Sequence, residues 1–166
     1  MTEHEPHGSW VRSPRIGLPL PAVFALALLA APRVVLHDLD VIEEGTFVNA
    51  LFVFIPPLIW IGIAVLRKIH RPILTLFVVG VFYGVLLAVG HQILWNINSD
   101  DPVMLGGNLA DIDPDVQTVI IRVFAAISSV VTGTFVGVAA GLVAWALIKT
   151  RSRSTNDSSG AHDTTS

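Results

Sequence analysis

Four polar side chains of this sequence lie inside stretches that are otherwise apolar: Arg33, His37, His91 and Arg122. A guanidinium holds an anion through a planar fork of N–H donors, and an imidazole exchanges a proton or ligates a metal near neutral pH. Arg33 and His37 are four residues apart, so one helix face carries both. His91 follows Gly84 by seven residues and Ala88 by three, and Arg122 precedes Ser129 by seven, so each shares a wheel face with small residues of its own segment. An arginine in hydrocarbon costs about 2.5–3.5 kcal/mol at the centre of a span and less near its edge, so it pairs or reaches for water.

Three chemistries are open to this set. In the first, the arginines pair with carboxylates of nearby connections (Asp38, Asp40, Glu43, Glu44, Asp111, Asp113, Asp115) and the histidines bond to backbone, giving a satisfied polar cap. In the second, Arg33, His37, His91 and Arg122 line an outward-facing pocket for an anion, a lipid headgroup or a proton. In the third, His37, His91 and loop carboxylates hold a metal ion. No metal and no cofactor is assigned on this basis. The acids at 111, 113 and 115 alternate as a calcium loop begins, but the glycine turn and closing glutamate are missing, and Gly106-Gly107 has no strand before it to make a phosphate loop. No serine or histidine has a nucleophile context, and no dinucleotide or ATP fingerprint occurs, so no enzymatic activity is read.

The elements that must position these groups are helices in a membrane. Of 166 residues, 52% are hydrophobic and only 14% charged, with the apolar residues bunched into long runs. The net charge of −3 gives no argument for nucleic acid, and the absence of cysteine excludes disulfides and thiol chemistry. Four apolar segments of spanning length follow, at about 16–36, 46–66, 73–95 and 119–148. Residues 1–15 and 149–166 read as polar, unstructured tails. The first segment also has some features of a signal peptide, with Arg12 and Arg15 ahead of an apolar core, but the apolar run continues past the small residues of any cleavage site. Pro56 and Pro57 interrupt the amide donors in the middle of the second segment and predict a bend with freed carbonyls. Asp113-Pro114 predicts an N-cap and first-turn proline that start the last helix before the membrane.

The last two segments carry small residues at four-residue spacing: Gly80, Gly84 and Ala88 in one, and Ala125, Ser129, Gly133, Gly137 and Gly141 in the other. In lipid, helices associate where small residues let backbones approach, so these stripes predict helix-packing faces. Orientation follows from the cations. Arg12, Arg15, Arg67, Lys68, Arg71, Lys149, Arg151 and Arg153 all fall on one side of a four-span bundle, which the positive-inside rule makes cytoplasmic, with both termini inside. Trp95 and Trp145 then sit at the outer and inner interfaces.

The sequence therefore predicts an all-α, four-span bundle in the cell membrane, of the kind made by bacteria. Its partners are the lipid bilayer and, through a small-residue face, another copy or a larger membrane complex, which makes a non-enzymatic assembly subunit the first reading. A small transporter or oligomeric channel with an outward polar site is the rival. A stripe left exposed favours the first, and a stripe buried within the chain together with a hydrated cavity reaching Pro56 favours the second.

Overall fold

A computed structural model describes residues 16–39, 45–95 and 104–160, and among these the fold is entirely helical. Five α-helices follow in order: α1 Leu20–Ala30, α2 Pro32–Asp38, α3 Phe47–Leu66, α4 Pro72–Leu94 and α5 Pro114–Gly160, with one 3-10 turn at Gly107–Leu109 before α5. Three helices are long and apolar enough to cross a membrane, α3, α4 and the part of α5 from Pro114 to Ser152. At 1.5 Å per residue each exceeds or matches the roughly 30 Å of hydrocarbon.

The first apolar segment differs from the expected single helix over 16–36. Pro32 has no N–H to donate to the carbonyl of Leu28, so the Ala31 amide takes that oxygen instead at 3.1 Å and the chain turns from α1 into α2. Together they form a shorter apolar helical segment, Leu20–Leu36. The two prolines of α3 act otherwise: Pro56 and Pro57 lie inside one uninterrupted helix, and Pro56 is buried.

α4 is the centre of the bundle. Eight of its residues are buried, Pro72, Thr75, Leu76, Val79, Gly80, Tyr83, Gly84 and Leu87, against three in α3. It packs against α1, α2 and α5, and α3 lies against α1, α2 and α5. The core gathers Val23, Ala27, Trp60, Ala64, Leu76, Val79 and Ala144, all without solvent exposure.

The α4–α5 contact uses the small-residue stripes. A Cβ built on Gly80 would stand 2.8 Å from the Cα of Gly137, one on Gly84 2.7 Å from the Cα of Val130, and one on Gly141 2.7 Å from the Cα of Ile73. These are backbone atoms, which cannot swing aside. Residue numbers rise along α4 as they fall along α5, so the helices are antiparallel and in contact over most of α4. Ser129 is buried on this face, with its hydroxyl donating to the carbonyl of Ala125 at 2.8 Å. The stripes are thus taken up inside the chain.

The ends of the helices follow local chemistry. Asp113 caps α5 as expected, its Oδ1 accepting from the Asp115 amide at 2.9 Å, with Pro114 at the first position. α3 starts on Thr46, whose hydroxyl accepts from the Asn49 amide, and ends in a Schellman turn: Lys68 N–H reaches Val65 O at 3.2 Å and Ile69 N–H reaches Ala64 O at 3.1 Å. The segment before α1 is tied to the α3–α4 turn, since Gly17 N–H donates to Thr75 Oγ1 at 3.2 Å and Thr75 in turn donates to Arg71 O at 2.9 Å. α5 continues as helix through Lys149–Gly160, where the composition suggests a tail. Extending an existing helix adds one hydrogen bond per residue without a new nucleation cost, and Thr150 and Ser152 bond back to the carbonyls of Leu147 and Ile148.

Candidate functional site

The two arginines are the charged groups set into the apolar part of the bundle, and each has its own surroundings. Arg33 is the second residue of α2, just after the proline break, and Gly90 of α4 lies under the neighbouring Val34, whose Cγ1 would be 2.9 Å from a Cβ at Gly90. That close approach brings α2 onto α4. The Arg33 Nε then donates to Asn49 Oδ1 in the first turn of α3 at 3.2 Å, and the guanidinium stands beside the Tyr83 hydroxyl. Tyr83 stands midway along α4, so the charge reaches deeper than the end of its own helix. Its ring meets Trp60 edge-on, with centroids 5.8 Å apart, and Trp60 is fully buried with its indole N–H on Leu26 O at 2.8 Å.

Arg122 is held at the other face of α4. Its Nε donates to Gln92 Oε1 at 2.7 Å and its Nη2 to the Gln92 carbonyl at 3.2 Å, while Gln92 Nε2 donates back to the Arg122 carbonyl at 3.1 Å. The guanidinium carbon lies 5.5 Å from the centre of the Trp95 ring, at cation–π distance. At the opposite end of α5, Lys149 lies over Trp145 at 4.8 Å, so both tryptophans assigned to interfaces sit beneath cations.

The predicted set is distributed as follows. Arg33 on α2 and Arg122 on α5 both reach α4, but their contacts there, Tyr83 and Gln92, are nine residues apart, about 180° around the helix, so the two arginines stand at separate centres. His91 is half-buried in the last turn of α4, immediately before Gln92, and Gln92 supplies the contact to Arg122. His37 is on α2, one turn after Arg33, and its side chain lies outside the described residues, as does the acidic connection 40–44. Among the described residues no three His, Cys, Asp or Glu side chains gather where a metal ion would need them.

Asn49, Tyr83, Trp60 and Gln92 were not singled out by the sequence. Gln92 had a usable signal, as the next term of the series Gly80, Gly84, Ala88 at four-residue spacing. Tyr83 had a weaker one, as the single tyrosine of the chain in the middle of an apolar span.

Chemically, both centres present a fixed guanidinium whose partners among the described residues are uncharged: an amide, a phenol, a carbonyl and an indole ring. Neutral partners orient the cation without cancelling its charge, which leaves it able to hold an anion. The class that fold and site define is an all-helical protein with three helices of membrane-spanning length and apolarity. No family model, curated protein or solved structure matches the chain.

Proposed function

We propose that this is a non-enzymatic, four-span protein of the cell membrane, with both termini cytoplasmic, that holds an anionic group at arginines set into its outer half. The observation that carries the reading is that, among the described residues, Arg33 and Arg122 are met by uncharged groups, Asn49 and Tyr83 on one side of α4 and Gln92 on the other. Ions kept only for packing are ordinarily neutralised by a carboxylate, because an uncompensated charge in a low-dielectric site costs several kcal/mol, on the order of the ~2.5–3.5 kcal/mol of an intramembrane arginine. The four-span topology is supported by the apolar Leu20–Leu36 segment lying against α3 and α4, and by the cations of Arg67, Lys68 and Arg71 gathered at one turn.

The small-residue stripes favour this reading over assembly through the same faces. They are filled by α4 and α5 of one chain, so an assembly subunit would have to use other surfaces. Such a subunit keeps one supporting feature, the helical extension of α5 to Gly160 beyond its apolar part.

The test is thermal denaturation of the full-length protein in nanodiscs against chloride, sulfate, phosphate, acetate and lipids of anionic or zwitterionic headgroup. A ligand that binds only the folded state raises the melting temperature with concentration. At least one anion is expected to do so in the wild type and to lose its effect when Arg33→Gln and Arg122→Gln are combined. Stabilisation by none of them, or undiminished stabilisation of the double variant, overturns the reading.

A further inference from the structure

We infer that the Arg122 centre is a phosphate site at the outer membrane surface, built to take the phosphodiester of an anionic phospholipid headgroup. The inference rests on the anion-holding reading and narrows it to one centre and one ligand chemistry. Its first support is the use made of the guanidinium. Nε and Nη2 form one edge of the planar group, and that edge is occupied by two oxygens of Gln92, at 2.7 and 3.2 Å. The other edge, Nη1 with the second hydrogen of Nη2, has no acceptor among the described residues. Two parallel N–H donors at that spacing match two oxygens of a phosphate.

The second support is rigidity. Gln92 bonds Arg122 at three points, counting its own amide donation to the Arg122 carbonyl at 3.1 Å, and Trp95 stacks along the guanidinium at 5.5 Å. A long flexible side chain is thereby fixed before any ligand arrives, which removes the ordering cost that usually weakens an exposed ion contact. The third support is depth. Trp95 directly follows α4, and interfacial tryptophan marks the headgroup level, where lipid phosphates are concentrated. Arg122 is half-buried, so the free edge remains accessible from that level. Arg33, which stands beside the mid-span Tyr83, is not part of the site.

The experiment is native mass spectrometry of the full-length protein released from mixed micelles containing phosphatidylglycerol or phosphatidylcholine with identical acyl chains. Inorganic phosphate and glycerol 3-phosphate are added in separate arms. Wild type is expected to retain phosphatidylglycerol at least about tenfold more than Arg122→Gln does. Arg122→Lys should fall between them, because an ammonium keeps charge but loses the fork. Gln92→Leu, which keeps the arginine but frees it, should also lose retention and provides a second route if Arg122→Gln fails to fold. Displacement of the lipid by millimolar inorganic phosphate would support the phosphate site while assigning it to the free ion rather than to the headgroup. Equal retention of phosphatidylglycerol by wild type, Arg122→Gln and Gln92→Leu, with no phosphate adduct sensitive to these changes, overturns the inference. Loss of anion binding in Arg33→Gln alone would do the same while leaving the broader anion-holding reading intact.

Discussion

Gly137 of α5 faces Gly80 of α4 so closely that a Cβ built on Gly137 would stand 2.7 Å from the Gly80 Cα. Nothing at this contact can rotate away, since both surfaces are backbone. Gly137→Ala should therefore push the helices apart and destabilise the protein by about 1–3 kcal/mol, the usual range for overpacking. Gly62→Ala in α3 is the control, because nothing lies within 4 Å of a Cβ there. Removing that glycine from a helix interior should be neutral or stabilising by up to about 1 kcal/mol. Melting curves in detergent read both variants, and a Gly137→Ala protein as stable as Gly62→Ala would mean that α4 and α5 do not pack along this face.

Lys68 holds φ at +47°, a left-handed conformation in the Schellman turn that ends α3. For a residue with a Cβ this costs about 1–2 kcal/mol. Glycine removes that strain but adds roughly 0.4–1 kcal/mol of chain entropy on folding, so Lys68→Gly should stabilise by about 0.5–1 kcal/mol. A lower melting temperature for Lys68→Gly would show that the lysine side chain contributes more than its backbone loses.

The close-packing faces of α4 and α5 and the Asp113 cap were legible in the sequence because each depends on residue type at short spacing, small residues every fourth position and Asp before Pro; that the two faces meet each other within one chain was not. The break between α1 and α2 was not. Prolines stand inside two apolar segments, at 32 and at 56–57, and only the first ends a helix. Residue type alone does not separate the cases, since the outcome depends on whether neighbouring groups satisfy the freed carbonyls. Gln92, whose side chain meets Arg122, directly follows His91 of the expected polar set. His91 and Gln92 are about 100° apart on α4, and the wheel places both near the small-residue face. Gln92 carries an acceptor and a donor on one side chain, which suits a guanidinium on one side and a carbonyl on the other. The extension of α5 to Gly160 was hidden by composition, because serine, threonine and aspartate continue a helix that packing has already started.

Tyr83 is the deepest polar contact of Arg33, and Tyr83→Phe removes the hydroxyl while keeping the ring against Trp60. A hydrogen bond to a charged group contributes about 1.5–3 kcal/mol, so a loss within that range is expected. Asn49→Leu, which removes the other partner, should cost a similar amount. The double variant should cost more than either but less than their sum, since the two groups serve one cation. Full additivity in a double-mutant cycle would mean that Arg33 does not couple them.

The proposed four-span topology has Gly45 and Gly107 outside and Lys68 inside. Alkaline phosphatase and fluorescent-protein fusions at those positions should report accordingly, with activity of the first at Gly45 and Gly107 and of the second at Lys68. Phosphatase activity at Lys68 would invert the orientation, and opposite signals at Lys68 and Gly107 with an inside signal at Gly45 would show that the Leu20–Leu36 segment and α3 do not each cross.

Gln117 is buried in the first turns of α5 and ties the preceding connection to the helix by three bonds: its Oε1 accepts from Leu105 N–H at 2.8 Å, and its Nε2 donates to Ile112 O at 2.8 Å and Ala110 O at 3.2 Å. The connection between residues 105 and 112 has little else to order it, being a single 3-10 turn whose side chains are mostly exposed. Gln117→Ala would leave one backbone donor and two acceptors without these partners, which costs about 1–3 kcal/mol for a buried group, or less where water enters. Because the small-residue seam lies further along α5, the loss should stay local. Amide exchange measured by mass spectrometry should accelerate in peptides spanning 104–113, while peptides from the Gly80 and Gly137 region keep wild-type protection. Gln117→Glu sharpens the test: it keeps the acceptor for Leu105 but loses the donor to the two carbonyls, so it should restore only part of the protection. Unchanged exchange in 104–113 for Gln117→Ala would show that the connection is ordered by something other than this side chain.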